Sequence, residues 1–247
     1  MLNAISIRKL LHPCMRILVS KRRTFPLYIL SPMPEVPGNK IFVMNHGTVH
    51  DAPVADEVIN EHFYVLVGKQ RLDLMDRIFF WINGVIYVDR KDKKSKKQAF
   101  KKMLAILNQQ KNLLLYPEGT WNMTPSKPLI PLNWGVVELA KISGRPIVPL
   151  VAEYYSEGCY VKFGQPIYIN EATSKKDGIE RVAEAMASLR WEIWEHSSTA
   201  MSREQLKKDF EEMIKHRLAE YPKFDLDYEM SVVRGIENSP EHVWGER

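Results

Sequence analysis

The sequence predicts an α/β fold: a central mixed, mostly parallel sheet flanked by helices, with a basic amphipathic N-terminal segment and a helical C-terminal extension. Three observations predict it. Six short apolar runs, at residues 41–44, 63–67, 85–88, 113–116, 147–151 and 160–163, have the length and the Val, Ile, Leu or aromatic content of strands. Helical patterns lie between several of these runs, the alternation that builds parallel sheets. At 247 residues, 45% hydrophobic and 26% charged, the chain suits one large core rather than disorder.

The first 34 residues contain no acid, while Arg8, Lys9, Arg16, Lys21, Arg22 and Arg23 are basic. Ile7, Leu10, Leu11, Met15, Leu18 and Val19 fall on one broad helical side, and Pro13 interrupts the pattern. A basic amphipathic segment of this kind lies in a membrane interface or packs as an ordinary helix on its domain. No apolar run reaches the roughly 20 residues that cross a bilayer, and no long apolar region leads to a small-residue cleavage site. Residues 31–39, with Pro32, Pro34, Pro37 and Gly38, read as a linker or turn.

Within the alternating region, Phe100, Met103, Leu104 and Leu107 stand at i, i+3, i+4 and i+7, and a second helix is expected over 134–142. From Lys176 the chain turns strongly helical, with a further helix over 202–219; residues 221–247, with Pro222, Gly235 and Pro240, have little periodicity. The chain therefore divides into a membrane-interface segment at 1–34, a main domain at 35–200, and a helical C-terminal extension and tail at 201–247. Its two cysteines, Cys14 and Cys159, are too far apart in sequence for a structural zinc motif and suit a reducing compartment.

A second basic cluster runs through Arg90, Lys91, Lys93, Lys94, Lys96, Lys97, Lys101 and Lys102. Such a surface attracts anionic lipid, nucleic acid or the phosphates of a soluble donor, or is simply a solvated helix face. Phe100 is its one aromatic residue and belongs to an apolar helical pattern, not to a stacking series, which ranks nucleic acid last.

Chemistry in open α/β sheets gathers at strand ends. The first run leads into Asn45-His46-Gly47-Thr48-Val49-His50-Asp51. An imidazole takes a proton from a hydroxyl near neutral pH, and a carboxylate on its other nitrogen fixes the tautomer. With His46 just before a helix and Asp51 in its first turn, the two side chains can meet, and the acceptor's own hydroxyl becomes the nucleophile. Two plainer readings remain: Asp51 as a helix N-terminal acid, or His46, His50 and Asp51 as metal ligands. Gly47 breaks the helix too early for the second, and no glutamate base lies between the histidines. The fourth run ends in Tyr116-Pro117-Glu118-Gly119-Thr120, where amides freed by glycine can bind acceptor hydroxyls or an oxyanion, or merely form a tight turn.

Together these segments resemble the glycerolipid acyltransferase family that includes 1-acylglycerol-3-phosphate acyltransferases. Its Asn-His-x-Ser-x-x-Asp block (the HX4D motif) is matched by Asn45, His46, Thr48 and Asp51. Lys69 and Val88-Asp89-Arg90 look like its second block, and Tyr116 to Asn122 like its Phe-Pro-Glu-Gly-Thr-Arg-Ser block. Ile147-Val148-Pro149-Leu150 and Gly164-Gln165-Pro166-Ile167 are similar to two later elements. The ordered set spans about residues 41 to 170.

The resemblance implies transfer of a fatty acyl group from acyl-CoA or acyl carrier protein to a hydroxyl of a lysophospholipid such as 1-acylglycerol 3-phosphate. His46 is then the general base and Asp51 its orienting partner, Glu118, Gly119 and Thr120 bind the acceptor, and Lys69 and Arg90 meet a phosphate. It implies no metal and no bound cofactor, and places the protein in the cytoplasm, peripheral on the inner face of the membrane. One departure bears on the acceptor: Trp121 stands where the family usually has an Arg that contacts phosphate. Either another cation such as Lys69 or Arg145 takes that role, or the acceptor is not a simple lysophosphatidic acid but, for instance, a glycolipid or amino lipid, or Trp121 merely packs under the loop. A non-catalytic lipid- or carrier-binding protein and a thioesterase are the other readings, whereas the Gly-x-Ser-x-Gly elbow of serine esterases is absent.

Overall fold

The computed structural model describes residues 4–68, 74–124, 127–196 and 225–237, together with 212, 214–216 and 218–220. Its strands are β1 (Leu27–Ser31), β2 (Ile41–Met44), β3 (Phe63–Gly68), β4 (Val85–Val88), β5 (Asn112–Leu115), β6 (Ile147–Tyr155) and β7 (Gly158–Phe163). They form one sheet in the order β1-β7-β6-β2-β5-β3-β4. The strands from β6 to β4 run parallel, β7 turns back on β6 as an antiparallel hairpin, and β1 lies parallel to β7. This is the mixed, mostly parallel sheet expected from the sequence.

All six predicted strands form. β6 outruns its apolar core of 147–151 because the hairpin with β7 carries its pairing on to Tyr155 opposite Gly158. β1 is a strand that the sequence pattern does not announce. It pairs on one side only and leaves Tyr28 and Ile29 exposed, so it never develops the apolar run of a buried strand.

Alternation along β2 explains the two-sided core. Ile41 and Val43 join Leu113, Leu115, Met103, Leu139, Val182 and Met186 on one face, beneath α4 (Lys93–Asn108), α5 (Gly135–Ser143) and α6 (Lys175–His196). Phe42 and Met44 join Val54, Ala55, Ile59 and Leu114 on the other, against α2 (Asp51–Val58). Burying each such large side chain contributes roughly 1.5–3 kcal/mol. β2 is fully buried and gives the loop at its carboxyl end a rigid support.

α1 (Ala4–Arg22) continues through Pro13 and packs on both α2 and α3 (Leu74–Asn83). Its apolar side is split. Met15 and His12 are buried, with His12 Nε2 3.2 Å from Asp56 Oδ1, and Arg16 donates twice to the Glu57 carbonyl. Leu10, Ile17 and Leu18 face outward, as do Leu74, Ile78 and Trp81 of α3. Among the described residues no helix is long and apolar enough to cross a membrane. Near the C-terminus, where little periodicity is expected, the structure instead forms α7 (Leu226–Glu237), in which Leu226, Met230 and Val233 stand at i, i+4 and i+7; the helix expected over 202–219 falls mostly outside the described residues, and those described from 212 to 220 are helical.

Candidate active site

β2 delivers its carboxyl end into a loop pinned from several sides. The Asn45 amide accepts the Ala152 N–H and donates to the Ala152 carbonyl, both at 2.9 Å, standing in for a strand residue beside β6. His46 comes next, with Nδ1 2.8 Å from Asp51 Oδ2. The same oxygen accepts the N–H groups of Gly47 at 2.7 Å and Thr48 at 2.9 Å. A carboxylate only accepts, so Nδ1 carries the proton and Nε2 the lone pair. Burial would raise the Asp51 carboxyl, but its bond to His46 and the two amides outweigh that and hold it below its ordinary value. Asp51 is therefore an anion wherever an imidazole titrates. It also opens α2, whose first turn tolerates Pro53 because the amide lost there has no helical partner.

The imidazole is clamped. Tyr116 stacks on it at 4.3 Å between centroids, and Trp121 meets it edge-on at 6.0 Å. The Asn122 N–H reaches the His46 carbonyl at 2.6 Å. Trp121 is buried in this contact, so at the position where the family motif carries a phosphate-binding Arg the chain packs an indole against the candidate base.

The loop after β5 closes the site from the neighbouring strand. Gly119 adopts φ 73°, a conformation a side chain would strain, and donates to the Tyr116 carbonyl at 2.9 Å. Glu118, expected to touch the acceptor, lies fully buried behind the wall. Its two oxygens accept the N–H groups of His46 and Ile130, each at 3.0 Å, and so tie the two motif loops together. Burial pushes its pKa up to about 7 in spite of those donors.

Arg90, which lies just past β4 in the turn closed by the Asp92 N–H on the Asp89 carbonyl, crosses to the same loop. Nη1 donates to the Gly119 carbonyl at 2.5 Å and to Glu229 Oε2 at 2.8 Å, Nη2 donates to Glu229 Oε1, and Thr120 Oγ1 also donates to Glu229. Gly68, at the end of β3, leaves room for this guanidinium; a Cβ there would lie 3.1 Å from Arg90 Nε. Glu229 sits on α7, and nothing local in the sequence marks it, since its partners lie more than 100 residues earlier. Lys69 lies outside the described residues. Arg145 precedes β6, at the opposite end of the sheet from His46, and does not line the site. His50 turns toward Glu220, 3.7 Å away, rather than toward a shared metal position with His46, and no described group of three or more His, Cys, Asp or Glu is placed to hold a metal.

These loops border a cavity of about 1390 Å³. That exceeds the roughly 300–1,000 Å³ of an ordinary small-molecule site and suits two substrates meeting. One wall is apolar, with Val67, Ile78, Phe79, Phe80, Phe100 and Met103; another carries Lys91, Lys93, Lys96 and Lys97 beside Arg90.

The sequence profile of the acyltransferase family matches residues 18–153, more than half of the chain, a span that includes His46, Asp51, Arg90, Glu118, Gly119 and Thr120. The chain belongs to the acyltransferase family. Among solved structures the acyltransferase is similar to the 1-acyl-sn-glycerophosphate (LPA) acyltransferase PlsC from Thermotoga maritima, with a TM-score of 0.66 over 82% of this chain and 86% of that one. The two are 14% identical, so the likeness carries the fold. No curated protein matches the chain. One cavity is thus bordered by an imidazole of fixed tautomer, by apolar side chains and by several cations.

Proposed function

We propose that this acyltransferase moves a fatty acyl group from a thioester donor, acyl-CoA or acyl carrier protein, onto a hydroxyl of a membrane lysolipid, with His46 as general base. The 2.8 Å contact between His46 Nδ1 and Asp51, on a ring that lines the cavity, carries this reading. The acceptor hydroxyl gives its proton to Nε2 as its oxygen attacks the thioester carbonyl. The C–S bond then breaks, and the thiolate leaves with the proton that His46 held. Asp51 steadies the intermediate imidazolium, and general-base assistance of this kind is worth roughly 10²–10⁴ in rate. The acceptor oxygen is the nucleophile, so no serine or cysteine is required, and the chemistry asks for no metal or bound cofactor.

Supporting features lie around the cavity. The apolar wall suits the acyl chain. The Asp92 carboxylate caps the first amides of α4, so the cations available to a donor there are the exposed side chains of Lys91, Lys93, Lys96 and Lys97, which suit the phosphates of CoA or an acidic carrier. On the outer side, Leu10, Ile17, Leu74, Ile78 and Trp81 with Lys9, Lys21 and Arg22 form the apolar and basic face of a peripheral protein resting on anionic lipid. His12 and Met15 are buried beneath it, so truncating α1 would open the core; Leu10→Glu with Ile17→Glu is the cleaner test, and flotation with anionic vesicles should fall while the fold persists.

A phosphate-bearing acceptor such as 1-acylglycerol 3-phosphate must displace Glu229 from Arg90 and Thr120, whereas a glycolipid or amino lipid need not. That pairing favours the second class. The test of the reaction is to incubate purified protein with radiolabelled acyl-CoA and a panel of lysolipids, phosphorylated and not. Labelled diacyl product from wild type and none from His46→Ala supports the reading. Binding of both substrates with no product from any acceptor would make the protein a non-catalytic lipid binder instead.

A further inference from the structure

The Arg90 end of the cavity already holds an anion, and it is the protein's own. Glu229 presents both carboxylate oxygens to the two terminal nitrogens of Arg90, and one of them also takes the Thr120 hydroxyl. A guanidinium fork with an adjacent hydroxyl is the donor set that holds a phosphate or carboxylate. Both side chains of the pair are less than one-fifth exposed, at 19% and 14%, so water screens the contact little. The neighbouring Tyr228 ring covers the guanidinium at 5.0 Å and Lys91 Nζ at 4.6 Å, which fixes α7 over this end. Arg90, Gly119, Thr120 and Glu229 all line the cavity that contains His46.

We propose that Glu229 is a specificity-determining residue: by occupying the anion seat of Arg90 and Thr120, it selects acceptor lipids whose head group carries no anion at that end. This selection rests on the reading that this end of the cavity takes the acceptor head. An incoming phosphate would have to expel a partly buried carboxylate and leave it without its partner, a cost that an uncharged, hydroxyl-bearing head avoids.

The experiment titrates full-length protein with 1-acylglycerol 3-phosphate and with the matching uncharged 1-acylglycerol, each in neutral detergent micelles, and tracks acyl transfer to each in parallel. Wild type should prefer the uncharged lipid. Glu229→Ala should shift the affinity ratio toward the phosphate by roughly tenfold or more, the scale of a charge-assisted hydrogen bond. Glu229→Gln, nearly isosteric, should shift it in the same direction and covers the case in which the alanine variant misfolds. The double variant Arg90→Ala/Glu229→Ala should lose the gain, which a merely structural role for Glu229 would not predict. Wild type binding the phosphate lipid as well as the uncharged one, an unchanged ratio in the variants, or no binding of either lipid would each overturn the proposal. Absence of turnover with every acceptor would instead count against acyl transfer, and the binding ratio would still judge Glu229.

Discussion

The two ends of the cavity are built in opposite ways. At one end, the His46 imidazole and the Asp51 carboxylate lie five residues apart where a loop enters α2, and the amides of Gly47 and Thr48 complete the carboxylate's partners. At the other, Arg90, Gly119, Thr120 and Glu229 meet from three separate stretches of chain, with separations of 29, 109 and 139 residues. The first arrangement is nearly fixed once β2 ends and α2 begins. The second is completed only when α7 docks, since Glu229 is what joins the Arg90 guanidinium to the Thr120 hydroxyl. Under the proposed mechanism, reaction type is written locally and head-group selection over long range.

Asp51→Asn should expose that contrast most strongly. The amide can no longer be an anion beside the imidazole, and kcat should fall by roughly 10²–10⁴ with circular dichroism little changed. A comparable fall from Glu229→Gln on an uncharged acceptor would erase the distinction between the two ends.

Glu118 offers a smaller effect at the junction of the two loops. Its pKa stands at about 7 against an ordinary 4.5, so the protonated form favours folding. The contribution, about 3 kcal/mol, is complete below pH 4.5, declines as pH rises through about 7 and is flat above it. Melting temperature in wild type should fall over that window by more than in Glu118→Gln. At pH 5, where the wild-type side chain is neutral, the glutamine variant should be less stable by about 1–3 kcal/mol, because its NH₂ faces a backbone N–H. Thermal scans of both proteins from pH 4.5 to 8 check both expectations.

The smallest effect belongs to the exposed lysines. Reversing the charge of Lys93, Lys94, Lys96 and Lys97 should raise the donor KM several-fold at low salt and little at high salt, because exposed charges are screened over about 10 Å at 0.1 M ionic strength. An unchanged KM at low salt would remove α4 as the donor dock.

Legibility in the sequence divides along the same line. Strand alternation and the five-residue spacing of His46 and Asp51 are local, and both appear in the structure as expected. β1 escapes a reading by pattern because an edge strand with exposed Tyr28 and Ile29 lacks the signature of burial. Glu118 carries the right motif, but only the fold shows its oxygens spent on the amides of His46 and Ile130. Glu229 carries no local motif: its partners Arg90 and Thr120 lie 139 and 109 residues earlier, so only the docked α7 shows the pairing. In α1, pattern alone does not separate membrane contact from packing, because the helix has an outward and an inward apolar edge.

The most direct measurement is single-turnover acyl transfer from radiolabelled acyl-CoA by a folded His46→Ala protein, on whichever lysolipid the wild type accepts. General-base catalysis by His46 predicts a rate at the uncatalysed background with donor binding retained. Transfer at the wild-type rate would contradict it outright.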